Sequence, residues 1–454
     1  MSGWGFFPGR GVTTVAADDA TSYASLRRNL RINNLNGIYA VISFNLVYPF
    51  FGIFALKIGA TNTEVAVLSS LPALISMLTI IPGAMFVERS SRKKYLTGVL
   101  IALSRLLILG AAAVPFFPRH AQVTALIAMV TLMTLPAWIA SVGWQGLIAE
   151  IIPSEWRGEA FAVRNRWMAF FGMGTVLAGG WVMDLLRFPY GYQLVFLLGF
   201  VAGVAETYYF TQFATADDQG AQPPASSPRE KGQGLKRWPA RLVQELKSEW
   251  VRVATQKNLL HFVVASFFFH FAWMGAWPVF TVYKVDTLRA SNLWMSVFVV
   301  AGSIGAIVSY RWWARLAEKY SNVTVLFWSA LGIAVLTLPW LWAKSLIVGA
   351  QLDLYSGVTV AGFQLVIFNR LLEVVTPERR TMDLAYFNTL VQVAATVSPL
   401  FGMWLYNVVG FGATMVIFTC LRLLAALGYL RSEPFATAIA GASPRRQAAL
   451  PGRK

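Results

Sequence analysis

The sequence predicts an all-α polytopic membrane protein with twelve transmembrane helices in two six-helix bundles related by pseudo-twofold symmetry. Three observations predict this class: an apolar composition, long uncharged stretches and an internal repeat. Hydrophobic residues make up 56% of the 454-residue chain, charged residues make up 13%, and the mean hydropathy is +0.56. A soluble domain of that composition would be short of polar surface.

Twelve apolar stretches are long enough to cross a bilayer, whose hydrocarbon core needs about 20 helical residues. They should be helices, because barrel strands would be only about 10 residues long and would alternate in polarity. The predicted spans are 37–56, 65–87, 95–117, 123–148, 167–186, 192–213, 259–283, 293–313, 323–342, 346–372, 384–406 and 413–430.

The formal net charge of +17 is concentrated on alternate loops. By the positive-inside rule this pattern places both termini in the cytoplasm and brings the basic loops to anionic lipid headgroups. No basic stripe coincides with a soluble domain, so we expect no nucleic-acid partner. Tryptophans at span ends, Trp312, Trp313, Trp340 and Trp342, are expected to form an interfacial belt.

A change in composition divides the chain between its two sets of six spans. Residues 214–233 have the composition of a flexible linker, and 235–256 regain helical periodicity, which predicts an amphipathic helix at the membrane surface. The predicted organisation is a cytoplasmic tail (1–32), a first bundle (33–213), a cytoplasmic linker (214–257), a second bundle (258–432) and a basic cytoplasmic tail (433–454).

Two internal repeats support the division. Residues 84–93 and 314–321 share a small residue, an acid, a base and a serine at the same spacing. A second set recurs at a constant offset of 223 residues: Glu150, Glu155, Arg157, Ala162, Asn165, Gly179 and Trp181 match Glu373, Glu378, Arg380, Ala385, Asn388, Gly402 and Trp404.

On these motifs, the chain resembles a twelve-span transporter of the major facilitator superfamily over residues 31–430. In that family's loop signature, Arg89, Arg92 and Lys93 fit, whereas Ala84 and Ser91 replace glycines and Glu88 replaces aspartate. The resemblance implies alternating access, with a substrate site near the bilayer midplane between the bundles. Paired glycines at 179 and 180 also match a fifth-span pattern of proton-coupled exporters, although its proline is lacking; close helix packing explains them equally well.

The loop signature is expected to act as a gate. An acid at a helix end beside basic residues can form charge-assisted bonds that hold one conformation and break in the other. The alternative is that these are solvated charges that set topology. The residues concerned are Ala84, Glu88, Arg89, Ser91, Arg92 and Lys93 in the first copy and Glu318 and Lys319 in the second.

The resemblance also implies that spans one, four, seven and ten line the substrate cavity. Their polar and aromatic residues, with a single acid, suit an amphipathic or cationic organic compound. The expected cavity residues are Asn45, Tyr48, Trp138, Trp144, Gln145, His270, Trp273, Trp277, Asp353, Tyr355, Gln364 and Asn369.

Several ionisable residues within the spans have two interpretations. Asp353 is the proton-coupling candidate, but it could also be an interfacial acid that reaches water. His270 could titrate or could simply be packed. For Arg105, Glu206 and Arg422 we expect a structural ion pair or a side chain that reaches the membrane surface.

Two arginines open the fifth span. Arg164 and Arg166 could attract an anionic substrate, or could join a network with Glu155, Glu159 and Asn165.

These features predict a secondary active transporter of the cell membrane, most consistent with proton-coupled efflux of a small amphipathic compound. Two alternatives are an importer of a nutrient or anion and a non-transporting receptor or scaffold. The sequence has no phosphate-binding loop, metal-ligand spacing or nucleophile motif. We therefore expect no enzymatic activity, cofactor or metal, and partners limited to a small substrate, membrane lipid and coupling protons, with the protein acting as a monomer.

Overall fold

The computed structural model describes residues 17–90, 92–215, 257–375 and 380–430, and these ranges contain helices and no strands. The predicted linker from 216, the tail 433–454 and Ser91 lie outside the described residues. The helices are α1 (Ala17–Val47), α2 (Phe51–Lys57), α3 (Asn62–Arg89), α4 (Lys93–Ala113), α5 (Arg119–Ile151), α6 (Ser154–Leu185), α7 (Tyr190–Thr211), α8 (Lys257–Val282), α9 (Asn292–Lys319), α10 (Asn322–Val335), α11 (Leu346–Val374) and α12 (Arg380–Leu430).

Every predicted span overlaps one of these helices, which confirms the predicted all-α membrane fold. Within the described part of the chain, ten helical segments have the length and hydropathy needed to cross a membrane. One of them, Tyr386–Leu430, is 45 residues long and overlaps the last two predicted spans. Gly410 separates those spans, because its φ of 78° and ψ of 175° interrupt the helix in a region that favours glycine.

The first helix begins at Ala17, well before the predicted span that starts at residue 37. Two asparagine side chains join the last part of this extension to the bundle. Asn29 exchanges two hydrogen bonds with the backbone of Ala214, at 3.0 and 2.9 Å, and Asn36 donates to the carbonyl oxygen of Glu206 at 3.0 Å. Because these amides are satisfied by the bundle itself, a polar segment packs where hydropathy alone predicts a tail.

Two helix ends also differ from the predicted spans. The helix α10 ends at Val335 and is followed by a 3₁₀ turn at Pro339–Leu341, because proline has no N–H to bond the carbonyl of Val335. Lys284, which the sequence placed in a loop, lies in a π-helical turn, Tyr283–Thr287, that continues α8.

Internal contacts divide the chain into two compact units, Met1–Ala225 with Arg289–Val300, and Ser226–Leu288 with Ala301–Lys454. Each unit has its own apolar core. Members of the first core include Ile148, Phe210 and Phe213, and members of the second include Phe262, Leu326, Phe363 and Tyr429.

Candidate functional site

Asp353 of α11 forms an ion pair with Lys284 in the second unit. The distance from Lys284 Nζ to Asp353 Oδ2 is 2.5 Å, and the side chains are 13% and 20% exposed, respectively. Lys284 Nζ also lies 5.1 Å from the centre of the Trp340 ring, within range of a cation–π interaction. The acid is therefore a mostly buried member of a charge pair in contact with an aromatic ring.

Trp340 is held firmly in place, and at 2% exposure it does not belong to an interfacial belt. Its ring centre lies 5.2 Å from that of Phe280 and 6.2 Å from that of Tyr283. Tyr283 in turn stacks on Phe411 at 3.9 Å and donates a hydrogen bond to the carbonyl oxygen of Ala343 at 3.0 Å. The indole beneath Lys284 thus packs against Phe280 and Tyr283, and Tyr283 is itself held by Phe411 and Ala343.

Aromatic residues of α8 follow the helical repeat up to the charge pair. Trp273, Trp277, Phe280 and Lys284 are spaced by four, three and four residues, which places them along one face of the helix. The rings of Trp273 and Trp277 lie 5.7 Å apart, and Trp277 is 50% exposed. This spacing was visible in the sequence and would have connected Lys284 to the predicted cavity residues.

His270 is buried one turn before this row of rings. Its Nδ1 lies 2.7 Å from the carbonyl oxygen of Ser266, and its ring is 5.9 Å from Trp273 and 5.6 Å from Phe363. The geometry is that of a packed, hydrogen-bonded histidine.

Of the other predicted cavity residues, Trp144 lines a cavity of the first unit beside Arg105 and Arg164, and the rest are spread over both units. In the second unit, Tyr355, Gln364 and Asn369 are exposed on α11. In the first unit, Trp138 and Gln145 are exposed on α5, Asn45 packs against Gly172, and Tyr48 stacks on Phe44 at 4.2 Å.

Arg105 and Glu206 form the buried ion pair that the sequence suggested. Arg105 Nε lies 2.8 Å from Oε2 of Glu206, and Nη2 lies 3.2 Å from Oε1, so both carboxylate oxygens are engaged. Such a two-point pair fixes the relative positions of α4 and α7.

Contrary to expectation, Arg422 has no ion-pair partner among the described residues, and its side chain does not reach the surface. It is 2% exposed and donates to the carbonyl oxygens of Ala272 at 3.1 Å and Ile333 at 3.3 Å, and to the hydroxyl of Thr337 at 3.2 Å. A guanidinium has five N–H donors, and here they tie α12 to α8 and α10.

Comparison with known proteins identifies the family. The sequence model of the Major Facilitator Superfamily matches residues 35–369, most of the chain. The chain belongs to the Major Facilitator Superfamily. A Na(+), Li(+), K(+)/H(+) antiporter of Planococcus maritimus is 23% identical over 439 residues, which cover 89% of this chain and 95% of the relative.

Solved transporters of this superfamily share the fold. A D-xylose–proton symporter superposes with a TM-score of 0.64 at 16% identity, covering 92% of this chain and 98% of the other. A bacterial homologue of the human lysosomal transporter Spinster, in an inward-facing and occupied conformation, gives 0.62 at 13% identity and covers 94% and 100%. As a member of the Major Facilitator Superfamily, the protein is a multi-pass membrane transporter and not an enzyme.

The superfamily's loop signature has a specific geometry here. Glu88, Arg89, Arg92 and Lys93 are all exposed, and the backbone N–H of Arg92 donates to Ser90 Oγ at 3.2 Å. Among the residues that the structure describes, Glu88 has no ion-pair partner. The same holds, within the described ranges, for Glu318, whose neighbour Lys319 lies 5.2 Å from the Tyr320 ring. The gating role of both copies stays a prediction.

Proposed function

We propose that the protein is a proton-coupled exporter of amphipathic organic cations in the cell membrane, with both termini in the cytoplasm. The observation that carries this proposal is the mostly buried Asp353–Lys284 pair against Trp340.

The pair already binds a cation, namely the lysine's own ammonium group. Asp353 supplies the negative charge and Trp340 supplies the ring face, and these are the two attractions that a positively charged organic group seeks. The aromatic face of α8 that carries Trp273, Trp277 and Phe280 offers apolar surface for the rest of such a molecule. Amphipathic cations match both parts.

Charge balance supplies a reason for coupling. With Asp353 ionised and Lys284 protonated, the pair is neutral. It can gain one positive charge, as a proton on Asp353 or as a bound cation, and either event weakens the hold on Lys284. A second positive charge would be repelled strongly, because charges interact with little screening away from water. Proton and substrate therefore compete, and one proton exchanges for one monovalent cation.

A second candidate is exchange of an alkali cation for protons. The Planococcus relative is named as an antiporter of this kind, and the single carboxylate of Asp353 also suits a small hard cation. Alkali-cation exchange gives no role to the half-exposed ring of Trp277, whereas an organic substrate could pack against it. This difference favours the organic substrate.

The experiment is transport in proteoliposomes with an imposed pH gradient and ethidium as the probe. We expect gradient-driven ethidium movement that Asp353→Asn abolishes, because the amide cannot be negatively charged. Asp286→Asn is the matched control: this acid is exposed, lies two residues from Lys284 and should leave transport unchanged.

Other outcomes decide against the proposal. Unchanged ethidium transport in Asp353→Asn would remove the pair from the mechanism. Dissipation of the pH gradient by Na⁺ or K⁺, with no ethidium transport, would establish the second candidate. Saturable binding without any transport would indicate a receptor.

A further inference from the structure

The first unit contains a cavity of about 180 Å³ among α1, α4, α5, α6 and α7 that the proposed cation exchange does not use. Its polar wall includes Asn36, Ser104, Arg105, Arg164 and Glu206. Two guanidinium groups and one carboxylate make this wall positive. The positive charge that is left over determines what the cavity can hold.

Arg164 carries the uncompensated charge. Arg105 engages both oxygens of Glu206, whereas the Nε of Arg164 donates only to the carbonyl oxygen of Asn33, at 3.3 Å. The guanidinium carbon of Arg164 lies 4.5 Å from the centre of the Trp144 ring. Among the described residues, no carboxylate lies within ion-pair distance of Arg164, so the cavity wall has one net positive charge.

Two residues of the cavity wall also have unsatisfied polar atoms. The Oγ of Ser104 and the Nε1 of Trp144 are buried and have no hydrogen-bond partner in the described part of the chain. An indole N–H can only donate, and a hydroxyl can donate or accept. Leaving such groups unpaired costs stability unless a ligand or water pairs with them. Together with Arg164, they call for a ligand with hydrogen-bond acceptors.

Glycines make room for both arginines. A Cβ atom at Gly37 of α1 would lie 2.6 Å from Arg164 Nε, and one at Gly203 of α7 would lie 2.6 Å from the Cγ and Cδ of Arg105. A larger residue at either position would push the guanidinium out of place. The positions of the two cations thus depend on the backbones of the helices that they cross.

We propose that this cavity binds a small organic monocarboxylate. A single negative charge balances Arg164, and a planar carboxylate accepts parallel hydrogen bonds from a guanidinium. Ile101, Ala137 and Ala140 form an apolar part of the wall that suits a short hydrocarbon body. The volume corresponds to about six water molecules at roughly 30 Å³ each, enough for an acid of a few carbons.

The test is binding of propionate to the purified full-length protein in detergent, measured by saturation-transfer NMR. Arg164→Gln should weaken binding about 10-fold or more, because a charge-assisted pair is lost. Trp144→Phe keeps an aromatic ring but removes the indole N–H, and should weaken propionate binding about 3-fold or more. Ala137→Leu should exclude propionate by filling the cavity. Arg166→Gln, an exposed arginine two residues from Arg164, should bind as the wild type does.

Thermal unfolding of each variant identifies any that fail to fold. Propionate binding is then compared among the variants that do fold. Absence of propionate binding to the wild-type protein would overturn the proposal, as would wild-type affinity in folded Arg164→Gln or Ala137→Leu. If chloride displaces bound propionate as effectively as acetate does, the assignment of a carboxylate ligand is wrong. These measurements use neither a pH gradient nor ethidium, so their failure is distinct from failure of cation export.

Discussion

Asp184 at the end of α6 caps the first turn of α9 through Asn292. The carboxylate accepts hydrogen bonds from the backbone N–H groups of Asn292 at 3.0 Å and Leu293 at 2.8 Å, and from Asn292 Nδ2 at 2.8 Å. Tyr192 donates a further hydrogen bond to Asn292 Oδ1. The first N–H groups of a helix have no partner within it, and their partial positive charge attracts a carboxylate.

We expect Asp184→Asn to lower the free energy of unfolding by about 1.5–3 kcal/mol, the usual contribution of hydrogen bonds to a charged group. Unfolding in mixed micelles, followed by circular dichroism, measures the change. Asp286→Asn, at an exposed site, should change it by less than about 0.5 kcal/mol. Equal stability of both variants would mean that the cap contributes nothing.

Two glycines of α6 should respond in opposite ways to alanine. A Cβ at Gly180 would lie 2.2 Å from Ser296 Oγ and 2.6 Å from the carbonyl oxygen of Asn292, so Gly180→Ala must force α6 and α9 apart. Among the described residues, no atom beyond the local helix backbone lies within 4 Å of a Cβ added at Gly174, and Gly174→Ala should stabilise the helix by up to about 1 kcal/mol. Melting temperatures should therefore fall for the first variant and rise for the second. A rise for both would contradict the close packing.

Removing one partner of the Arg105–Glu206 pair should lower the free energy of unfolding more than removing both partners. Glu206→Gln leaves a buried guanidinium without its counter-charge, beside Arg164, and should destabilise the protein by about 3–5 kcal/mol. The double variant Arg105→Gln, Glu206→Gln removes both charges and should regain a large part of that loss. A double-mutant cycle of unfolding free energies measures the coupling. Additive effects would show that the two side chains do not stabilise each other.

Arg422→Lys should be strongly destabilising although it keeps the charge. A lysine has three donors on one nitrogen and cannot reach the carbonyls of Ala272 and Ile333 together with Thr337, so buried acceptors lose their partners. We expect a loss of about 2 kcal/mol or more. Arg311→Lys, at an exposed position, is the matched control. Similar unfolding curves for the two lysine variants would contradict the assigned role.

Much of the fold could be predicted from hydropathy, because a bilayer leaves a long apolar segment little choice but a helix. The early start of α1 could not be predicted in this way. Asn29 and Asn36 are buried through contacts with Ala214 and Glu206, 185 and 170 residues away, and no local pattern indicates them.

In the candidate sites, too, the contacts between residues far apart in the sequence could not be predicted. Asp353 could be singled out as a rare acid within a span, but its partner Lys284 was assigned to a loop, and Trp340 to an interfacial belt. Pairing across helices decides whether a charge is a topology signal or part of a site. Arg164 illustrates this: its position over Trp144 depends on the absence of a side chain at Gly37 of another helix.

Exchange of protons for organic cations is tested by measuring whether cation movement drives proton movement. Proteoliposomes that contain a pH-sensitive dye receive an inward ethidium gradient with no initial pH difference. We expect the lumen to become alkaline as ethidium enters, with one proton leaving per cation, and we expect Asp353→Asn to show neither ethidium entry nor a change in pH. Ethidium entry through the wild-type protein with no change in luminal pH would contradict this exchange.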